Sequence, residues 1–184
     1  AREGPRAALP VTLRAYGSMG RGADAQRAYA GMESQLTAAE RLAMRRLVAW
    51  AWVRGGAVTE ARTMLAGALP DPDDELTGWL ALYEGNLAGA RRGLRRADAR
   101  AADAVFALAF ISRTRVDSAP LAGVAFLLEA RGDSTKAAAA FSRAADEVPD
   151  AGSVLLLAAS RLHVAQQREG EAIKLWTRIV QSYE

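Results

Sequence analysis

From Gly132 the chain reaches Ala137 after five residues, Phe141 after four more, Ala144 after three more and Pro149 after a further five. The order is a turn residue, a small contact, a large knob, a second small contact and a helix breaker. Such spacing puts Ala137, Phe141, Ala144, Ala145 and Val148 on one stripe of an α-helix, which Pro149 stops. Ahead of it, Pro120 to Ala130 reads as another helix, with Ser118 as its N-cap and Pro120 in its first turn. Gly132-Asp133-Ser134 joins the two, because glycine tolerates left-handed backbone geometry. The segment is therefore a helical hairpin, and Arg131-Gly132-Asp133 is its turn rather than an adhesion signal.

The pattern recurs. Gly56, Ala61, Leu65 and Ala68 keep the spacing, as do Gly85, Ala90, Leu94 and Ala97. Ala172, Trp176 and Ile179 repeat it after a turn, Gln166 to Gly170, read as one residue longer. Gly20, Ala25, Tyr29 and Met32 make a weaker first copy. No segment alternates apolar and polar residues for long enough to form a strand. Hairpins of about 34 residues, with Gly at the turn and Pro at the end, resemble tetratricopeptide repeats. The clearest units span 118–150 and 152–184, with Leu155 and Leu162 lying 34 residues after Leu121 and Leu128. Elsewhere the step departs from this, being 29 residues from Ala61 to Ala90 and 47 from Ala90 to Ala137. The longer gap holds Ala101 to Ile111, enough for one extra helix near 101–112 that would bend the stack. The expected fold is all-α, a single domain over 1–184. The resemblance makes it a right-handed superhelical solenoid of antiparallel helix hairpins with degenerate N-terminal units. Its last helix, Glu171 to Tyr183, carries Leu175, Trp176, Ile179 and Val180. That face would be covered by more of a longer array or by another chain, so self-association is an expected possibility.

Composition narrows the function. The chain has no Cys, which excludes disulfides, thiolate zinc sites and Cys nucleophiles. No run of eighteen apolar residues is present, so no membrane-spanning helix is expected. The net charge of +3 is carried almost wholly by Arg, which favours solubility without demanding an acidic partner. His163 is the only His, and no P-loop, Gly-x-Ser-x-Gly or His-Glu-x-x-His motif occurs. No metal, no cofactor and no enzyme activity are expected. Cytoplasm and periplasm are not distinguished.

Six residues before three of the turn glycines stand Trp50, Trp79 and Phe126; the equivalents in the first and last copies are Arg14 and Ser160. In tetratricopeptide arrays the first helix of each hairpin lines a concave groove. The resemblance therefore implies an apolar ladder facing that groove, suited to an amphipathic helix or an extended peptide. Arg46 and Arg54, four residues either side of Trp50, would hold an acidic residue of the ligand. A register shifted by one residue instead makes Trp50 and Trp79 ordinary inter-helix packing. Trp52 and Trp176 read as structural. A clamp for a peptide carboxy-terminus is not expected, because the matching helices offer Ala, Leu, Phe and Trp in place of Lys and Asn.

Three further motifs lie outside this aromatic series. Arg91, Arg92, Arg95, Arg96 and Arg100 form a basic cluster, read first as a solvated helix face and otherwise as a surface for phosphate, anionic lipid or acidic protein. Pro70 to Glu75 reads as the acidic cap of a helix over Leu76 to Tyr83, since it lacks the ligand spacing of a calcium loop. Gly20 to Ala25 fits a loose dinucleotide fingerprint, but Pro10 to Met19 before it reads as a helix rather than a strand, and no parallel sheet follows. The expected function is a non-catalytic scaffold binding a peptide or protein, with bacterial assembly or envelope complexes as the analogy. The alternatives are a solenoid domain accessory to a catalytic domain outside this segment, and nucleic-acid binding through the Arg cluster.

Overall fold

The computed structural model describes residues 4–66, 74–95, 97 and 104–183. Among them the only regular elements are helical; the sole extended pairing is one isolated bridge between Asn86 and Ser118. The chain clusters into two compact units, Ala1–Pro70 and Asp71–Glu184. The first holds α1 (Pro5–Ser18), α2 (Gly22–Ala30), α3 (Ala38–Arg54) and α4 (Val58–Leu65), with a 3-10 turn at Glu33–Gln35. The second holds α5 (Glu75–Tyr83), α6 (Leu87–Leu94), α7 (Ala104–Arg113), α8 (Pro120–Ala130), α9 (Ser134–Glu147), α10 (Gly152–Ala165) and α11 (Glu169–Ser182). Helices pack chiefly on their neighbours in the chain, as a helical-repeat architecture requires.

One turn geometry joins α1 to α2, α3 to α4, α5 to α6, α8 to α9 and α10 to α11. Gly20, Gly56, Gly85, Gly132 and Gln167 all have left-handed backbones, with φ of 64°, 67°, 73°, 77° and 59°. The amide after each donates to the carbonyl five residues back: Arg21 to Tyr16, Ala57 to Trp52, Asn86 to Ala81, Asp133 to Leu128 and Arg168 to His163, at 2.8–3.0 Å. This is the Schellman closure, which satisfies carbonyls left over at a helix end. Five residues beyond the left-handed position stand Ala25, Ala61, Ala90, Ala137 and Ala172, every one fully buried. The Ala is small because the second helix must approach the first closely just after the turn.

The last turn is therefore the same length as the others, not one residue longer. Gln167 takes the glycine's place, and a side chain in left-handed geometry costs roughly 1–2 kcal/mol. Gln167→Gly should accordingly stabilise the fold by about 0.5–1 kcal/mol once the greater freedom of an unfolded glycine is subtracted. Urea unfolding of the two proteins measures this directly, and an unchanged midpoint would mean that Gln167 is not left-handed in solution.

Several boundaries differ from those read in the sequence. The first helix opens at Pro5 rather than near Pro10, so Pro10 sits inside it. Gly4 and Pro5 supply an earlier start, since proline suits the first helical turn. The cap of α8 is Ala119 and not Ser118; Ser118 is drawn into the bridge with Asn86, and the Leu121 amide donates to Glu147 instead. Asp133 and Asp74 do cap, accepting from the Lys136 and Leu76 amides at 3.2 and 2.8 Å.

The extra helix is α7, with Ala104, Ala107, Phe110 and Ile111 buried. After it the chain returns to the α5–α6 turn: the Ala119 amide donates to Gly85 and the Leu87 amide to Asp117, both at 2.9 Å. Helix α8 then packs on α5, so α7 and its flanks account for the 47-residue step. Phe126 ties the arrangement together, tilted on Phe110 at 5.8 Å and edge-on to Phe141 at 4.9 Å. The smaller 29-residue step follows from short helices, α4 having eight residues and α5 nine.

In the first unit, Leu9, Leu13, Ala25, Tyr29, Leu36, Met44, Val48 and Ala51 make the core. Its α3 begins with a capping box, the Glu40 amide donating to the Thr37 hydroxyl and the Thr37 amide to the Glu40 carboxylate at 2.8 Å. Arg6 of α1 reaches the same carboxylate at 2.5 Å. The Thr37 amide, the Arg6 guanidinium and the Thr37 hydroxyl hold Glu40 down to a pKa of about 2. Because the folded state binds this proton less readily than the unfolded state, the gain is complete above the ordinary value of 4.5. It is lost as pH falls towards about 2. Glu40→Gln should lower the melting temperature at pH 7, with the gap to the parent closing as pH approaches about 2; a gap independent of pH would contradict this linkage.

Candidate partner-binding cleft

Helices α1 and α3 pack together so that each leaves one strip of surface beside the other. Leu13 and Leu47 floor the space between them, and Trp50 forms one wall. Arg14, Gly17, Ser18 and Arg54 complete its lining. The cleft measures about 310 Å³ and is open to solvent. That volume suits one or two side chains of a larger ligand rather than an engulfed small molecule. Gly17 contributes by omission: a Cβ there would meet nothing within 4 Å, so the cleft exists partly because this residue has no side chain.

The electrostatics of the cleft have one sign. The Arg54 guanidinium lies over the Trp50 ring, 5.6 Å from its centroid, in cation–π contact. No carboxylate lines the space. Helix α1 carries Arg6 and Arg14 and no acidic residue; α3 carries Arg41, Arg45, Arg46 and Arg54 and only Glu40. Arg6 is engaged by Glu40, Arg41 donates to the Leu36 carbonyl, and Arg45 donates to the Met64 and Ala66 carbonyls. Arg14 makes no hydrogen bond or ion pair among the described residues. The half-buried Trp50 thus lies beneath the Arg54 guanidinium, with Arg14 also lining the cleft.

Of the expected partner-binding residues, Trp50 and Arg54 come together here. Arg46 is half-buried on α3, one turn before Trp50 and outside the cleft lining. Trp79 and Phe126 are elsewhere, each only 5% exposed. Trp79 packs on Tyr83 with ring centroids 5.9 Å apart, and Phe126 joins the Phe110–Phe141 stack. Their burial has a physical cause: Leu76 and the whole run Gly78 to Tyr83 are buried, so α5 has almost no solvent face to present. Arg14 was identified as the positional equivalent of Trp50 but not as a site residue; its place six residues before Gly20 was the available signal. Counted from Gln167, the last equivalent becomes Arg161, which pairs with Glu129 and lies over Phe106, 4.7 Å from the ring centroid. Trp52 is structural as read, lying against Gly22 with its indole N–H on Gln26.

Within the basic cluster, Arg91 is engaged by the chain itself. Arg91 turns away to brace the segment after α7, donating to the Thr114 and Val116 carbonyls and pairing with Asp117 at 2.7 Å. Arg92 and Arg95 are exposed, whereas Arg96 and Arg100 lie outside the described residues. Asp71 and Asp73 of the acidic run lie outside them as well. Among the described residues no group of three His, Asp or Glu side chains is placed to hold a metal ion, and no helix is long and apolar enough to cross a membrane.

No family model, curated protein or solved structure matches the chain. The functional reading therefore rests on this geometry alone.

Proposed function

We propose that the chain is a tetratricopeptide-like scaffold, a right-handed solenoid of helix hairpins that binds a protein or peptide and performs no chemistry of its own. The observation that carries this reading is the cleft between α1 and α3, where the Trp50 ring lies under the Arg54 guanidinium and Arg14 also lines the space. Its ligand is an acidic segment: an apolar side chain lies on Trp50, while neighbouring carboxylates meet Arg14 and Arg54, with Arg46 one turn further along. The five turns of one geometry, each followed by a buried Ala, support a repeated hairpin as the frame.

The test is a titration with peptides that combine Asp or Glu with Leu, Phe or Trp, against basic peptides of the same apolar content. Acidic peptides should bind, and Arg14→Glu should weaken them about tenfold or more by turning attraction into repulsion. Raising ionic strength from about 0.05 M to about 0.5 M should weaken them as well, because exposed pairs are screened. Equal binding of acidic and basic peptides would overturn the reading.

A further inference from the structure

Counting back from the left-handed turn residues puts Ala8, Val11, Thr12 and Ala15 of α1 in register with Met44, Leu47, Val48 and Ala51 of α3. The same register pairs them with Leu155, Ala158, Ala159 and Leu162 of α10. On α3, which packs on α1 and α2, Met44, Val48 and Ala51 are buried. On α10, which packs on α9, all four are buried. On α1 most of this stripe is open: Thr12 is half-buried, but Ala8 and Ala15 are exposed, Val11 is 65% exposed, and Met19 one turn on is 56% exposed.

Counting forward from the turns reveals the other half. Ile173, Trp176 and Val180 of α11 stand where α9 has Ala138, Phe141 and Ala145. The three on α9 are wholly buried, whereas those on α11 are 55%, 45% and 58% exposed. Trp176, read as structural from the sequence, is held on one edge only, its indole N–H donating to the Ser160 hydroxyl at 3.0 Å. The chain thus exposes, on α1 and α11, the positions that are buried on the packed pair α10 and α9.

We propose that a second copy of this chain docks its α1 on the α11 face of the first, reproducing the relation of α10 to α9. Three features select a second copy. The contact continues one that the fold makes within itself. The sizes are complementary, with the large Ile173, Trp176 and Val180 set against the small Ala8 and Ala15. Neither stripe carries a charge, so association strands no buried ion. Because the two patches are different, the contact is heterologous and adds copies head to tail.

Sedimentation velocity of the 184-residue chain over a range of concentrations tests this. The expected result is association that grows beyond a dimer as concentration rises. Val11→Glu and Val180→Glu should each lose every species larger than monomer, with helicity and melting unchanged because both sites are exposed. An equimolar mixture of the two should regain a dimer and nothing larger, since each variant keeps the half that the other has lost. Ala15→Glu with Ile173→Glu provides a second pair should either first variant fail to fold. A parent that stays monomeric up to on the order of 0.1 mM would overturn the proposal. So would a Val11→Glu chain that still dimerises, which would signal symmetric α11 pairing, or a mixture that remains monomeric.

Discussion

Gly93→Ala should destabilise the second unit by about 3 kcal/mol, even though alanine is the better helix former by about 1 kcal/mol. A Cβ at Gly93 would lie 2.4 Å from the Gly78 Cα and 2.6 Å from the Asp74 carbonyl oxygen. These are backbone atoms, so no rotamer change relieves the overlap and α5 must move off α6. Gly132→Ala is the control for backbone geometry without packing. Its φ is 77°, yet a Cβ there meets nothing within 4 Å, so only the left-handed penalty of roughly 1–2 kcal/mol applies. Urea unfolding followed by circular dichroism distinguishes the two, and equal losses would mean that the close approach of α5 and α6 does not exist in solution.

Phe141→Ala should cost about 3–5 kcal/mol, the range for emptying a buried aromatic site. The ring is wholly buried and sits edge-on to Phe126, so the substitution removes both apolar burial and an aromatic pair. Trp176 occupies the corresponding position on α11 yet is nearly half exposed. Trp176→Ala should therefore cost only about 1–2 kcal/mol in the monomer, even though the larger ring is removed. Comparable losses at the two positions would show that the α11 face is covered in the isolated chain.

How much of this was legible in the sequence depends on which force sets each feature. The turns were legible because Gly20, Gly56, Gly85 and Gly132 are needed for left-handed backbone, and the Ala five residues on must be small. Gln167 was not, since nothing in a Gln announces positive φ; counting back from Ala172 was the only route to it. The burial of Trp79 and Phe126 was also hidden. Position relative to a turn places a residue on a helix face, but what lies against that face is decided by neighbours distant in sequence. For Phe126 those neighbours include α7, whose helical nature was legible in Ala101 to Ile111 but whose packing was not. Arg91 illustrates the same limit, because a run of arginines reads as a surface until one of them finds carbonyls 23 and 25 residues away.

The cleft was half legible. Trp50 and Arg54 were named from spacing, while Arg14 stood in the equivalent position on α1 without an aromatic ring to mark it. Gly17 carried no signal at all, because its contribution is the empty space above Leu13 and Leu47.

That space offers the most direct test of recognition through α1 and α3. Gly17→Leu puts a side chain into the cleft from a position where a Cβ has no neighbour within 4 Å, and it replaces a glycine in the last turn of α1. The variant should melt at or above the parent's temperature, by up to about 1 kcal/mol in stability. Titrated with an acidic peptide that binds the parent, it should show at least about tenfold weaker affinity. Unchanged affinity in a fully folded Gly17→Leu chain would contradict the Trp50 cleft as the site of recognition.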